Sequence, residues 1–204
     1  MMHPNTTVSE ADPEIGLGVY ATRHIPAGSI VYVRDSLEIV IPPHDPRLND
    51  PAHAAIIERY SYIEPGGNRI MSWDIAKYVN HSCDANSVST GWGFEVALRD
   101  IAPGEQITDE YGLFNLTWSM NCRCGAPNCR GLVHSNDFAQ LAAQYDRQLR
   151  RVLRRVLRPE QPLWAFLDDR TCSELREFVR TGRNYRSVSS LQQASPAAVP
   201  AAVA

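Results

Sequence analysis

The sequence predicts a mainly β body followed by an α-helical extension. Three observations carry that reading: β-branched and aromatic runs between Gly and Pro breaks up to Tyr111, apolar residues at intervals of three and four after Gly131, and a reversal of charge between the two parts. Met1 to Glu14 is polar and is read as a flexible N-terminus. Val19-Tyr20-Ala21 and Ile30-Val31-Tyr32-Val33 flank a Pro26-Ala27-Gly28 turn, and Leu37 to Ile41 adds a third short strand. Pro42 to Asn68 is loop-rich, with one helical turn expected between Pro51 and Tyr60. A second β-rich stretch runs from Ser87 to Tyr111, where Phe94-Glu95-Val96-Ala97-Leu98 alternates and Pro103-Gly104 turns the chain. Phe138, Leu141, Tyr145, Leu149, Val152 and Val156 line one face of a helix that Pro159 must end. A second helix is expected from Thr171, with Glu174 completing a capping box, to Gly182. Ser187 to Ala204 carries no charge and little to bury, the signature of a disordered tail.

Composition narrows the function classes. A chain of 204 residues, 44% apolar and 21% charged, is long enough for one compact domain plus an extension and is neither collagen-like nor a disulfide-knotted toxin. No apolar run approaches the roughly 18–20 residues of a membrane helix, and the start lacks the apolar stretch of a signal peptide. The expectation is a cytoplasmic protein without membrane contact. Met1 to Gly131 holds 9 basic and 16 acidic residues, whereas Leu132 to Ala204 holds 11 basic and 7 acidic. An acidic body favours basic partners and works against nucleic acid, so a nucleic-acid partner is not expected. The face formed by Arg147, Arg150, Arg151, Arg154, Arg155 and Arg158 then reads as solvated, or docked on acidic surface, before it reads as a nucleic-acid contact.

Five cysteines stand at 83, 122, 124, 129 and 172. An odd count without a secretion signal argues against a disulfide framework. Cys122, Cys124 and Cys129, in a glycine-containing loop, can turn three thiolates to one point, and structural zinc asks for a fourth ligand. Cys83, Cys172 and His134 are the candidates. Cys172 falls in line with Leu175 and Val179 on its helix, which suits a buried apolar role better.

Three further segments carry a family resemblance. Gly16-Leu17-Gly18-Val19-Tyr20-Ala21 through Gly28 resembles the opening of a SET domain, the protein-lysine methyltransferase fold. Asn80-His81-Ser82-Cys83-Asp84-Ala85-Asn86 resembles that family's far more specific N-H-S-C-x-x-N segment, and Ile101 to Gly112 its closing strand with the active-site tyrosine. Cys122-Arg123-Cys124-Gly125 through Cys129-Arg130-Gly131 then resembles a post-SET zinc loop. The resemblance implies a SET domain over 15–112 made of small curled sheets with a pseudoknot near N-H-S-C, a zinc loop over 113–133, and a helical extension over 134–186 outside the family pattern.

The resemblance also implies roles. S-adenosylmethionine would lie against Gly16, Leu17 and Gly18, with Asn80 and His81 at its amino-acid end. Tyr111 would be catalytic, and Cys83 would be the fourth ligand of one structural zinc beside Cys122, Cys124 and Cys129. The substrate would be a lysine in a basic protein or peptide, and no Asp, Glu or His presents itself as a base. Two departures stand out: Asp109 occupies a place often held by Phe or Tyr, leaving the number of methyls added open, and Arg34-Asp35-Ser36-Leu37-Glu38 replaces the usual tyrosine-containing strand. A second aromatic wall for the lysine must therefore come from Tyr60, Tyr62 or Trp73. The alternatives are a silent SET-fold interaction module and a zinc-dependent nucleic-acid binder. Nothing in the sequence fixes the oligomeric state.

Overall fold

The computed structural model describes residues 1–193. In chain order its strands and helices are β1 (Thr6–Asp12), β2 (Gly16–Ala21), β3 (Ile30–Val33), β4 (Ile39–Ile41), α1 (Pro51–Tyr60), β5 (Ser61–Ile63), β6 (Arg69–Met71), β7 (Asn80–His81), β8 (Ser87–Ser89), β9 (Phe94–Ala97), β10 (Gln106–Asp109), β11 (Met120–Asn121), β12 (Leu132–Val133), α2 (Phe138–Val152) and α3 (Asp169–Thr181). They form small sheets, ordered β1-β2-β10-β7, β3-β9-β8, β4-β6-β5 and β11-β12. All described pairings are antiparallel except that of β7 with β10, where Asn80 lies beside Thr108 and His81 beside Asp109. No described helix is long and apolar enough to cross a membrane.

Two cores hold these sheets. Val19, Ile25, Val31, Ile101 and Ile107 pack under the first sheet. Val88, Phe94 and Val96 of the β3-β9-β8 sheet share the larger core with Leu141, Tyr145 and Leu149 of α2 and Phe178 of α3. The helical extension is therefore a wall of the same core. Its fit is close: a Cβ on Gly112 would lie 2.3 Å from Leu141 Cδ1. The arginine face of α2 makes no ion pair among the described residues. Arg150 instead lies 3.9 Å over the Tyr185 ring and Arg154 5.7 Å over Phe178, so part of the face is spent on aromatic contact within the chain.

Several sequence expectations need correction. Residues 1–14 are not a flexible arm: β1 pairs with β2 from Thr6–Ala21 to Asp12–Gly16, and Met2 is buried. The polar sequence misled because this edge strand buries little. The turn expected near Pro51 is a ten-residue helix, because the Asp50 carboxylate caps the His53 N–H and Pro51 suits the first helical position. No capping box opens α3: Asp168 caps the Thr171 N–H, while Glu174 binds Arg170, Arg186 and the Trp92 indole. Gly182 does end that helix, at a left-handed φ of 75°.

The tail expected over Ser187–Ala204 is ordered through Gln193, with a 3-10 turn at Val188–Leu191 and Val188 buried; 194–204 lie outside the described residues. Asp146 holds this segment, accepting from Tyr185 Oη (2.7 Å), Ser187 Oγ (2.6 Å) and Val188 N (2.9 Å). Asn115 holds its far end, donating to Leu191 O and accepting from Gln193 N at 2.8 Å each. Asp146→Ala should thus cost about 2–4 kcal/mol, read by urea unfolding. It should also open a protease site within 185–193. Unchanged stability and cleavage would show that Asp146 does not hold the segment.

Candidate active site and cysteine cluster

A cleft of about 880 Å³ opens between the β1-β2-β10-β7 sheet, α1 and the segment after β10. Ile15 and Leu17 line one side and Trp118 and Met120 another, while Tyr32, Tyr62 and Tyr111 line it deeper in the fold. Leu17 and Asn80 meet directly, Asn80 Nδ2 donating to Leu17 O at 3.0 Å. A Cβ on Gly18 would fall 2.2 Å from Gln106 Nε2 and 3.1 Å from Asn80 Nδ2. Gly18 is thus required for Asn80 and Gln106 to reach β2. Gly16 has a φ of 91°, the region that favours glycine.

Tyr111 follows β10 and reaches back across β7. Its Oη donates to Val79 O at 2.5 Å, and its ring packs against Phe114 with centroids 5.3 Å apart. Burial, and then the Asp109 and Glu95 carboxyls, pushes this phenol well above its ordinary range. Tyr111 therefore stays a neutral phenol. His81 does not line the cleft. Its Nδ1 lies 3.1 Å from Asp109 O and 3.2 Å from Tyr111 N, and its Nε2 lies 3.4 Å from Cys83 Sγ. The ring, with a buried side chain and a pKa lowered by desolvation, couples Tyr111 to the cysteines.

The four cysteines at 83, 122, 124 and 129 come together, with all Sγ atoms within 4.8 Å of one another. Cys122 Sγ lies 3.7 Å from both Cys83 Sγ and Cys129 Sγ. A tetrahedron with metal–sulfur bonds of ~2.3 Å has edges of about 3.8 Å, so the donor set fits one zinc-sized ion. Main-chain donors face the sulfurs: Cys83 N to Cys124 Sγ and Arg130 N to Cys83 Sγ, each 3.4 Å. Against burial, the N–H groups of Cys83 and Ala126 hold the Cys124 thiol down to about 6, while burial pushes Cys83 and Cys122 up. The other candidates stand elsewhere. Cys172 is buried on α3, and His134 Nδ1 lies 3.4 Å from Ser119 Oγ.

Of the three aromatic residues expected to complete the cleft, Tyr60 and Tyr62 do so. Trp73 does not, since its indole donates to the Asp35 carboxylate. Tyr32, Phe114 and Glu95 also line the cleft and were not anticipated. Tyr32 sits in an unbroken apolar run, Ile30–Val33, all of it buried, so nothing distinguished it from core. Glu95 lies in a strand whose residues alternate, Phe94-Glu95-Val96, and that alternation does not distinguish a cleft from solvent. Lys77, the chain's single lysine, lies on the wall beside Asn80.

Part of the chain is similar in sequence to known proteins. Residues 16–112 match the family described as the SET domain. The chain is 33% identical over 132 residues to a variant-silencing SET domain-containing protein of Plasmodium falciparum, covering 56% of this chain and 5% of that protein. It is 28% identical over 134 residues to the histone-lysine N-methyltransferase ATX2 of Arabidopsis thaliana, covering 60% and 12%. Among solved structures, KRYPTONITE in complex with mCHG DNA and SAH aligns with a TM-score of 0.45 at 23% identity, over 65% of this chain and 30% of that one. The chain thus spans a small part of the curated relatives it matches. Residues 16–112 of this chain are a SET domain.

Proposed function

We propose that this protein transfers a methyl group from S-adenosylmethionine to the side-chain amine of a lysine in a basic protein segment. One observation carries the reading: the neutral Tyr111 hydroxyl is fixed by Val79 O in the same cleft that Asn80 and Leu17 line. S-adenosylmethionine, when bound, supplies a methyl group activated by a positive sulfonium. Leu17 and Asn80 would hold it, Asn80 through an amide whose Oδ1 makes no hydrogen bond among the described residues. With its proton committed to Val79 O, the Tyr111 oxygen keeps lone pairs to accept from an entering amine and so to orient it. Tyr32, Tyr62 and Phe114 exclude water around that point, which favours an uncharged amine over the ammonium. The intact Asn80 and Tyr111 wall favours an enzyme over a silent binding module.

We further propose one structural zinc on Cys83, Cys122, Cys124 and Cys129, as in a post-SET loop. Purified protein should hold one zinc per chain by elemental analysis. Cys83→Ser should lose it and Cys172→Ser should keep it; the opposite result would refute the ligand set. Because a structural metal contributes folding energy, chelation should expose 113–133 to hydrogen exchange.

Cofactor binding separates enzyme from module. S-adenosylmethionine should raise the melting temperature, since a ligand selective for the folded state stabilises it by mass action. Tyr111→Phe should keep that shift and lose methyl transfer by about 100-fold, whereas Asn80→Ala should shrink the shift itself. No shift in metal-loaded protein would favour the silent module.

The acidic balance of −7 over Met1 to Gly131 points to a basic acceptor segment. Attraction between exposed charges is screened over roughly 8 Å at physiological salt, so kcat/KM on a basic lysine peptide should fall as salt rises. Preference for a matched acidic peptide would overturn this assignment.

A further inference from the structure

We propose that Arg130, in the cysteine loop, is a positioning residue for methyl transfer: through the buried Glu110 carboxylate it sets where the Tyr111 hydroxyl stands in the cleft. The inference rests on the reading of this protein as a lysine methyltransferase. It gives a part in that reaction to a side chain outside the cleft, since Arg130 is not among the residues that line it. Any effect of Arg130 on the reaction must therefore pass through a neighbour.

Glu110 is that neighbour. It directly precedes Tyr111, and its side chain is 1% exposed. Its Oε1 accepts from Arg130 Nη2 at 2.7 Å and from Gly112 N at 2.9 Å. The carboxylate thus ties together the main chain on both sides of Tyr111, as the cap of the 3-10 turn Tyr111–Leu113. The phenol starts from that turn and ends with its Oη 2.5 Å from Val79 O. Root and tip of the side chain are both held, and Arg130 acts on the root.

No other group at the carboxylate can replace it. Tyr145 Oη lies 3.5 Å from Oε2, and His81 Nδ1 lies 3.7 Å from Oε1. That ring nitrogen is nearer to Asp109 O and Tyr111 N, at 3.1 and 3.2 Å. Among the described residues Arg130 is the single arginine or lysine paired with Glu110. Removing one partner of a buried ion pair leaves the other charge uncompensated. The carboxylate then gains by swinging towards water, which breaks its bond to Gly112 N and loosens the turn.

Arg130 is itself placed by the cluster. It follows Cys129, and its main-chain N–H faces Cys83 Sγ at 3.4 Å. The loop offers its own control in Arg123, between Cys122 and Cys124. Arg123 pairs with Glu14 at 2.6 Å, but the two side chains are 78% and 74% exposed. An ion pair in that much water contributes little.

The test uses the full chain with a basic lysine peptide and S-adenosylmethionine. Arg130→Gln should keep its zinc by elemental analysis and keep the cofactor-induced melting shift. Its kcat should fall about 30-fold while the cofactor KM changes by less than about two-fold, because the reacting groups are misplaced rather than unbound. Arg130→Lys, which restores the charge without the fork, should recover part of the loss. Glu110→Gln should lose as much as Arg130→Gln and the double variant no more, since both break one link. Arg123→Gln should stay within about two-fold of wild type.

A second readout needs no turnover. In carbon-13 tyrosine NMR the Tyr111 signal, identified by its loss in Tyr111→Phe, should move in Arg130→Gln and stay in place in Arg123→Gln. Should Arg130→Gln lose its zinc, Glu110→Gln takes its place with the same outcomes. Unchanged kcat, additive losses in the double variant or an unmoved Tyr111 signal overturns the proposal. Wild type that methylates no lysine while the signal still moves overturns the enzyme reading and the role in transfer together, leaving only the link from Arg130 to Tyr111.

Discussion

The site depends on a parallel pairing only two residues long, β7 beside β10. It sets the Asn80–Cys83 segment against the Asp109–Gly112 segment, and every functional contact descends from that adjacency. Ser82 N donates to Asp109 O, Tyr111 N donates to the His81 ring, and Tyr111 Oη returns to Val79 O. Two strands far apart in sequence cannot hold that register through two ladder residues alone. Glu110 supplies the lock. Its buried Oε1 accepts from Gly112 N at 2.9 Å and from Arg130 Nη2 at 2.7 Å, which ties the cysteine loop to the strand carrying Tyr111. On the other side, Gly112 lets Leu141 of α2 close over the same turn. The cysteine loop and the helical extension thus grip one short segment from two directions, so the cysteine cluster and the cleft are mechanically linked.

What the sequence made legible follows from how each feature is encoded. Asn80, Tyr111 and the four clustered cysteines belong to local patterns, and the structure brings each group together. The helix starting at Phe138 was readable because burial there repeats with the period of the element, and Ile30–Val33 because it is a short unbroken β-branched and aromatic run. Features fixed by distant partners were not readable. The N-terminal strand is polar and half-exposed, and only β2 makes it a strand. Val188 alone gives little reason to expect order at the C-terminal end; Asp146 and Asn115 provide it from α2 and from the loop after Tyr111. Glu95 was not readable as a cleft residue because alternation reports which side of a strand a residue takes, not whether that side meets solvent or a cleft.

The arginine-rich face makes the same point about charge. Spacing alone permits a nucleic-acid stripe, a solvated face or a docked one. In the fold Arg150 and Arg154 cover Tyr185 and Phe178, and those rings also pack around Trp92. Guanidinium groups stacked this way shield the edge of the larger core while keeping their charge in water. The helix earns its apolar periodicity from the body and its arginines from the C-terminal segment folded across it.

Asp109 Oδ2 and Glu95 Oε2 are both buried and have no hydrogen-bond partner among the described residues. An ionised carboxylate at either position would lie buried without a partner, a cost of several kcal/mol that folding would have to absorb. Burial therefore favours the neutral form of each carboxyl. Burial first, and then the Asp109 and Glu95 carboxyls, raise the Tyr111 phenol and hold it protonated. Tyr111 thus keeps its proton, and that proton is held by Val79 O across the short β7–β10 pairing.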